Sequence, residues 1–239
     1  MTLKNPSLRL YRVLVAACML GTGLAALAAD GKRSFSADDV FELEWVRDPQ
    51  IAPDGSHIVW VRTGYDRMSD RARGSLWITE VASGRSEPLI TGTASYRDAS
   101  FSPDGSRLLY IASTPDKKEL RVRWLASGRE TRVALLENNP KQMVWSPDGE
   151  RIAFTMFTPG ERLDLTREAP RKPDDANWAD PVKVIDDLVF RFDGRGFLKK
   201  GDDQVYVVPA HGGTPRALTS GGNGFESPEW SADGATLYV

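Results

Sequence analysis

The sequence predicts an all-β fold, a β-propeller built from four-stranded blades, and three observations predict it. A corner centred on Asp-Gly, usually with proline ahead of it, recurs along the chain. Its copies keep a nearly constant spacing, and each copy separates two short apolar runs. The copies are IAPDGSHIVWV at 51–61, FSPDGSRLLYI at 101–111, WSPDGERIAF at 145–154 and WSADGATLYV at 230–239, with a looser FDGRGFL at 192–198. In the corner, proline presets φ at about −65°, aspartate bonds to nearby backbone amides, and glycine takes a positive φ that a Cβ would strain. The flanks are rich in β-branched and aromatic residues, so each copy is a hairpin. The turn glycines Gly55, Gly105, Gly149, Gly194 and Gly234 lie 40 to 50 residues apart. Four short strands fill such a period, and propellers close on themselves with about four to eight such blades.

The elements follow in chain order. Residues 1–28 are expected to be a signal peptide: Lys4, Arg9 and Arg12 precede an apolar run over 13–27, and Ala26-Leu27-Ala28 is a small-x-small cleavage site. An uncleaved anchor is the rival reading. Val15-Ala16-Ala17-Cys18 also has the look of a lipoprotein cleavage box. Cleavage after Ala28 removes three cations and the only cysteine, so core packing rather than a disulfide holds the exported chain together. The expected destination is outside the cytoplasm, the periplasm if the source is Gram-negative.

Residues 29–48 form a leader with a brief helix over 37–45, started by Ser36 with Asp39 three residues on and ended at Asp48-Pro49. The partial propeller then occupies 49–239. Strands are expected over 50–52, 58–61, 76–81 and 87–91 in the first repeat, with a polar loop over 65–74, and over 100–102, 108–112, 120–125 and 132–136 in the second. Leu120, Val122 and Trp124 alternate with Arg121 and Arg123, the period of a sheet with one wet face. The third repeat starts at Gln142 and then departs from the pattern. Residues 158–187 are polar and punctuated by Pro159, Pro170, Pro173 and Pro181, and a loop of that length is usually a functional excursion or a disordered segment. Strands return over 188–192, 204–208 and 216–219, and the chain stops in the second strand of the next hairpin. About four and a half repeats are thus expected, the front part of something longer; a complete ring of four or five blades is the rival.

The formal net charge of −2, with Lys and Arg interspersed among Asp and Glu, offers no basic patch for nucleic acid. Once the signal peptide is removed, no membrane segment is expected.

The run DPQIAPDGSHIVWV, the serial SPDG hairpins, and FRFDGRGFL followed by QVYVVPAHGGTPRALT resemble the N-terminal propeller of the prolyl oligopeptidase family of serine peptidases, in its acylaminoacyl-peptidase and dipeptidyl-peptidase branches. The resemblance covers about 36–239. It implies a propeller that restricts entry of short peptides to a C-terminal α/β-hydrolase domain, where a serine in G-x-S-x-G acts with Asp and His. No G-x-S-x-G occurs in this sequence, so no catalytic residue is assigned and the chain alone is expected to be inactive. SPDG hairpins also occur in TolB-type propellers, non-enzymatic periplasmic modules that bind proteins, and this is the alternative function.

Remaining constellations have plainer readings. His57 and His211 sit at turns without metal-ligand spacing and are read as exposed turn residues rather than zinc ligands. Asp174, Asp175, Asp180, Asp186 and Asp187, with Arg171, Lys172 and Lys183 among them, are read as a solvated loop rather than a calcium site. No metal and no cofactor is expected. Trp45, Trp60, Trp77, Trp124, Trp145 and Trp230 are expected to pack between blades. The weak candidates for substrate binding are Trp178, alone in the polar excursion, and Arg191 and Arg195, which flank the Asp193-Gly194 turn and would meet either a salt-bridge partner or a peptide carboxylate.

Overall fold

The structure, a computed structural model, describes residues 34–160, 170–179, 184–194 and 196–239. The expected signal peptide with Cys18, together with Asp180, Lys183 and Arg195, lies outside the described residues. The chain divides into two compact units, 1–40 and 41–239.

In the first unit, Ser36 N–H donates to the Asp39 carboxylate at 2.6 Å and Asp39 N–H returns to Ser36 C=O at 3.1 Å. This box opens a 3₁₀ helix, Ala37–Glu42. The helix is shorter than the expected 37–45. Trp45 belongs instead to β1 (Glu44–Ile51), because residues 44–47 find ladder partners across β2 (His57–Asp66). Asp48-Pro49 is not a helix end but a bulge inside β1, with Asp48 at φ 48°.

The second unit is all-β. β1, β2, β3 (Arg71–Glu80) and β4 (Ser86–Ile90) form one antiparallel sheet in chain order. The 65–74 stretch expected as a loop is largely strand, since Tyr65 pairs with Ala72 and Asp66 with Arg71. β5 (Ser95–Phe101), β6 (Arg107–Ser113), β7 (Lys118–Trp124) and β8 (Glu130–Leu136) form the second sheet. The third takes β9 (Pro140–Trp145) and β10 (Arg151–Pro159), and an excursion of about forty residues in the sequence separates β10 from the next strand of that sheet. That excursion contains a hairpin of β11 (Arg191–Phe192) and β12 (Gly196–Phe197). The third sheet is completed by β13 (Gly201–Pro209) and β14 (Arg216–Ala217), in the order β14-β13-β10-β9. β15 (Glu229–Trp230) and β16 (Leu237–Tyr238) begin a further blade.

These are propeller blades, stacked face to face. β6 shows how: Leu108, Tyr110 and Ala112 pack with Val59, Val61 and Leu76 of the first blade, while Leu109 and Ile111 pack with Ile152, Phe154 and Val208 of the third. Alternation along one strand thus serves two interfaces. Arg121 and Arg123 accordingly are only partly exposed, by 32% and 24% of their side chains. Their sheet is covered on both sides, and they are held in an ion network in which Arg121 Nε donates to Glu119 at 2.9 Å and Arg123 Nη1 to Glu130 at 2.7 Å. Burial, followed by the charge of Glu130, pushes the phenol of the fully buried Tyr110 beside Arg121 well above its ordinary range.

A second periodic feature corrects the repeat count. Asp48, Asp98, Gln142 and Ser227 are non-glycine residues at φ 48° to 52°, and each stands seven residues before a turn glycine: Gly55, Gly105, Gly149 and Gly234. In β1, β5 and β9 this residue sits in a bulge of the first strand. Gly194 has no such partner. Its turn forms, at φ 73°, but closes the two-residue hairpin β11–β12 inside the third blade. The described residues therefore build three complete blades and the start of a fourth, not four and a half. The excursion is nearly as long as a repeat, which is why it passed for one.

Candidate functional site

The Asp-Gly corners come first, because they contain the serine, histidine and aspartate side chains lying closest together. In blades two, three and four a serine three residues before the glycine donates to the turn aspartate: Ser102 to Asp104, Ser146 to Asp148 and Ser231 to Asp233, each at 2.5 Å. The same hydroxyls accept the backbone N–H of Arg107, Arg151 and Thr236. Each aspartate also accepts an amide two residues on, as Asp54 does in the first blade. Hydrogen bonds from Ser102 and then Ser106 hold the Asp104 carboxyl down at about 2, and the serine donors lower Asp54, Asp148 and Asp233 in the same direction. These carboxylates are closing turns.

Asp54, Ser56 and His57 approach the composition of a catalytic triad without its geometry. Ser56 Oγ lies 2.7 Å from both Asp54 Oδ1 and His57 Nδ1. The serine is therefore the middle member, whereas proton abstraction needs histidine between the acid and the nucleophile. Ser56 Oγ spends its one proton on a carboxylate that can only accept, so no base is placed to activate it.

The larger feature is the excursion of the third blade. The Asp-Gly corners lie at one end of the blades, and β10 runs away from its corner to Pro159, so Gly160 and Lys200, joined by a backbone hydrogen bond of 3.1 Å, lie at the opposite end. There, Ile185, Leu188, Val189, Phe190, Phe197 and Leu198 are exposed, Leu188 by 99%. They border a concavity of about 1720 Å³ whose polar lining includes Thr158, Asp186, Lys200, Asp202, Gln204 and Tyr206. Thr158 Oγ1 and Tyr206 OH are 2.7 Å apart, and Lys200 Nζ meets Asp186 at 2.6 Å. A contiguous apolar surface of this kind, rimmed by polar groups, marks an interaction site.

The structure does not gather the described candidates, Arg191 and Trp178, in this concavity. Arg191, on β11, sets its guanidinium 6.0 Å from the centre of the Phe197 ring. Trp178 lies in an irregular stretch, 47% exposed. Neither lines the cavity. The exposed phenylalanines of this excursion, an arm of the third blade, are not among the sequence-based candidates; the signal available is their density in LVFRFDGRGFL, which the sequence analysis reads as a strand over 188–192 and a looser copy of the corner. Among the described residues no group of three or more His, Cys, Asp or Glu side chains has metal-site geometry, and Asp186 of the acidic cluster is occupied by Lys200.

No family model matches the chain. Among solved structures, an acylaminoacyl peptidase in complex with Z-Gly-Gly-Phe-chloromethyl ketone superposes with a TM-score of 0.58 at 17% identity, over 82% of this chain and 28% of that one. The orthorhombic form of the Pyrococcus horikoshii acylaminoacyl peptidase gives 0.55 at 16%, over 80% and 27%. The chain resembles the N-terminal propeller of the prolyl oligopeptidase family. An "uncharacterized peptidase YuxL" of Bacillus subtilis is 29% identical over 208 residues, 86% of this chain and 31% of that protein. The chain thus spans about a third of the length of this relative. TolB from Acinetobacter baumannii also shares the fold, with a TM-score of 0.50 at 18% identity over 81% of this chain and 37% of that one.

Proposed function

We propose that this chain is the substrate-gating propeller of an exported serine peptidase that cleaves short peptides, and that it has no hydrolytic activity by itself. The observation that carries the reading is the match to a peptidase along 86% of this chain and only 31% of the relative, which is what a non-catalytic domain beside a separate hydrolase domain would give. The reacting serine, histidine and aspartate then belong to an α/β-hydrolase domain that follows the propeller. The apolar arm and its concavity, on the end of the blades away from the stacked Asp-Gly corners, are where that domain or the incoming peptide is met. Trp178 and Arg191 are the candidates for that encounter, Arg191 through a peptide carboxylate and Trp178 through an apolar side chain.

The test is hydrolysis of short N-acylated peptide anilides by this chain alone and by the same chain joined to the remainder of its reading frame. Turnover by the longer protein only, abolished by an organofluorophosphonate that labels its serine, is the expected result. A longer protein that adds further blades and cleaves no peptide would overturn the reading in favour of the protein-binding module suggested by the TolB likeness. Export is tested separately. The secreted product should begin at Ala29, and recovery of the intact N-terminus in the cytoplasm would remove the exported half of the proposal.

A further inference from the structure

Alternation along the second strand of each blade gives the blade one face that its predecessor covers. Three, five and seven places after the turn glycine stand Leu108, Tyr110 and Ala112 in the second blade and Ile152, Phe154 and Met156 in the third, none more than 8% exposed. The first set packs on Val59, Val61 and Leu76 of the first blade, and the other on Leu109, Ile111, Leu120 and Val122 of the second. The covering surface is aliphatic both times. Nearer the corners the same series carries a cation on a ring: Arg107 lies 5.0 Å from the centre of Trp145, and Arg151 lies 4.7 Å from that of Trp230.

In the first blade the matching places hold Ile58, Trp60 and Arg62, all half-buried, and no described blade precedes them. Trp60 pairs across the ladder with Trp77, as Tyr110 does with Arg121 and Phe154 with Tyr206. The two indoles stack with centroids 5.6 Å apart, and Arg62 lies over Trp77 at 4.9 Å with Glu44 as its ion partner. Both indole N–H groups are bonded within the face, Trp60 to Thr79 at 2.9 Å and Trp77 to Ser75 at 3.2 Å, so an apolar cover strands no donor there. Val46 and Ile51 pair with Arg62 and Ile58, extend the same face, and are 58% and 68% exposed. Ile51 stands four places before its turn glycine, the position of Trp145 and Trp230 in the later blades.

We propose that this Trp60–Trp77 face is an interaction surface whose partner is the aliphatic face of a further blade of the same polypeptide. Continuity with the two seams already formed selects that partner, because the face occupies the register that an aliphatic row covers in both of them. An exposed apolar surface with a charged pair beside it is also what an interaction site looks like from the solvent side. The first blade builds its sheet from the consecutive strands β1 to β4 and borrows none from elsewhere among the described residues. The joint is therefore made by side chains alone, with no strand shared across it. This rests on the proposed continuation of the polypeptide and not on its being a peptidase.

Thiol labelling of the protein carrying its complete reading frame tests this, with labelled sites mapped by peptide mass. Val46→Cys and Ile51→Cys should react with a maleimide several-fold more slowly than Met68→Cys, whose position is 93% exposed. In the 239-residue chain alone the three should react at similar rates. Because a new cysteine alters the surface being probed, hydroxyl-radical oxidation of Trp60 and Trp77 in the unsubstituted proteins is the second measurement. It should fall several-fold from the short chain to the long one. Equal thiol rates at positions 51 and 68 of the long protein, or unchanged oxidation of the two tryptophans, would overturn the proposal. So would protection that disappears on dilution, which would assign the face to a second copy of the chain. Peptide hydrolysis separates the two failures. A long protein that cleaves peptides while these sites stay reactive overturns this proposal alone, and protected sites in a protein that cleaves nothing support it while removing the peptidase.

Discussion

The guanidinium of Arg151 lies 4.7 Å from the centre of the Trp230 ring and donates from Nη2 to the carbonyl of Gly234 at 2.7 Å. One side chain thus ties the third blade to the ring and to the corner of the fourth. Removing it with Arg151→Ala should cost about 1–2 kcal/mol in urea unfolding, the sum of a half-exposed cation–π contact and a charged hydrogen bond. Arg151→Lys should recover only part, because an ammonium cannot lie flat on the indole and bond the carbonyl together. Full recovery by lysine would show that charge alone matters.

The two kinds of Asp-Gly corner should respond differently to alanine. Gly149 has φ 69°, and a Cβ there would come within 2.5 Å of Arg107 Nη2; Gly194 has φ 73° and nothing within 4 Å. Both substitutions carry the left-handed penalty of about 1–2 kcal/mol, but only the first also disturbs an inter-blade contact. Gly149→Ala should lower the global unfolding midpoint, whereas Gly194→Ala should leave it within error and increase exchange only in the arm. Equal global losses would put the Gly194 hairpin back among the blades.

How far the fold was legible follows from these corners. Proline, aspartate and glycine act locally, so the four true corners were readable without tertiary information. The first half of each inner strand was not. The bulge residues Asp48, Asp98, Gln142 and Ser227 share a backbone angle but no side-chain chemistry, and the inserted residue breaks the alternation that identifies a strand. Arg191-Phe192-Asp193-Gly194 carries a turn signature indistinguishable from a blade corner, and only its isolation in a two-stranded hairpin separates it. The concavity was illegible because its walls come from stretches brought together by the excursion, whereas the substrate candidates were chosen one residue at a time.

Strong acid should weaken the corners. The Asp104 carboxyl sits at about 2, below its ordinary value of 3.8, so the stability it contributes is present above about 4 and is lost as pH falls towards 2. Ser102→Ala removes the largest cause of that depression and leaves the Arg107 N–H without its acceptor. The variant should lose about 1–3 kcal/mol at neutral pH. Its Asp104 titration, followed by carboxyl carbon NMR, should move up towards the ordinary range. An unchanged titration would mean that Ser106 alone holds the carboxylate.

The arm should matter to function and little to stability. Trp178→Ala and Arg191→Ala alter exposed side chains outside both blade cores, so melting should be nearly unchanged, within the usual ±0.5 kcal/mol of surface substitutions. If the proposed peptidase admits substrate past this arm, Arg191→Ala should raise KM several-fold for peptides with a free carboxylate and leave their amides unaffected. Comparing the two peptide series separates recognition of the carboxylate from a general loss of fit.

A propeller of the proposed kind admits short peptides to a hydrolase domain and excludes long chains. Its most direct test is the ratio of hydrolysis rates for a short acylated peptide and for the same cleavage sequence embedded in a long unfolded polypeptide, measured on the protein carrying its complete reading frame. The gate should give turnover of the short peptide with the long chain left essentially intact. Comparable cleavage of both substrates would contradict the gate, and cleavage of neither would contradict the peptidase.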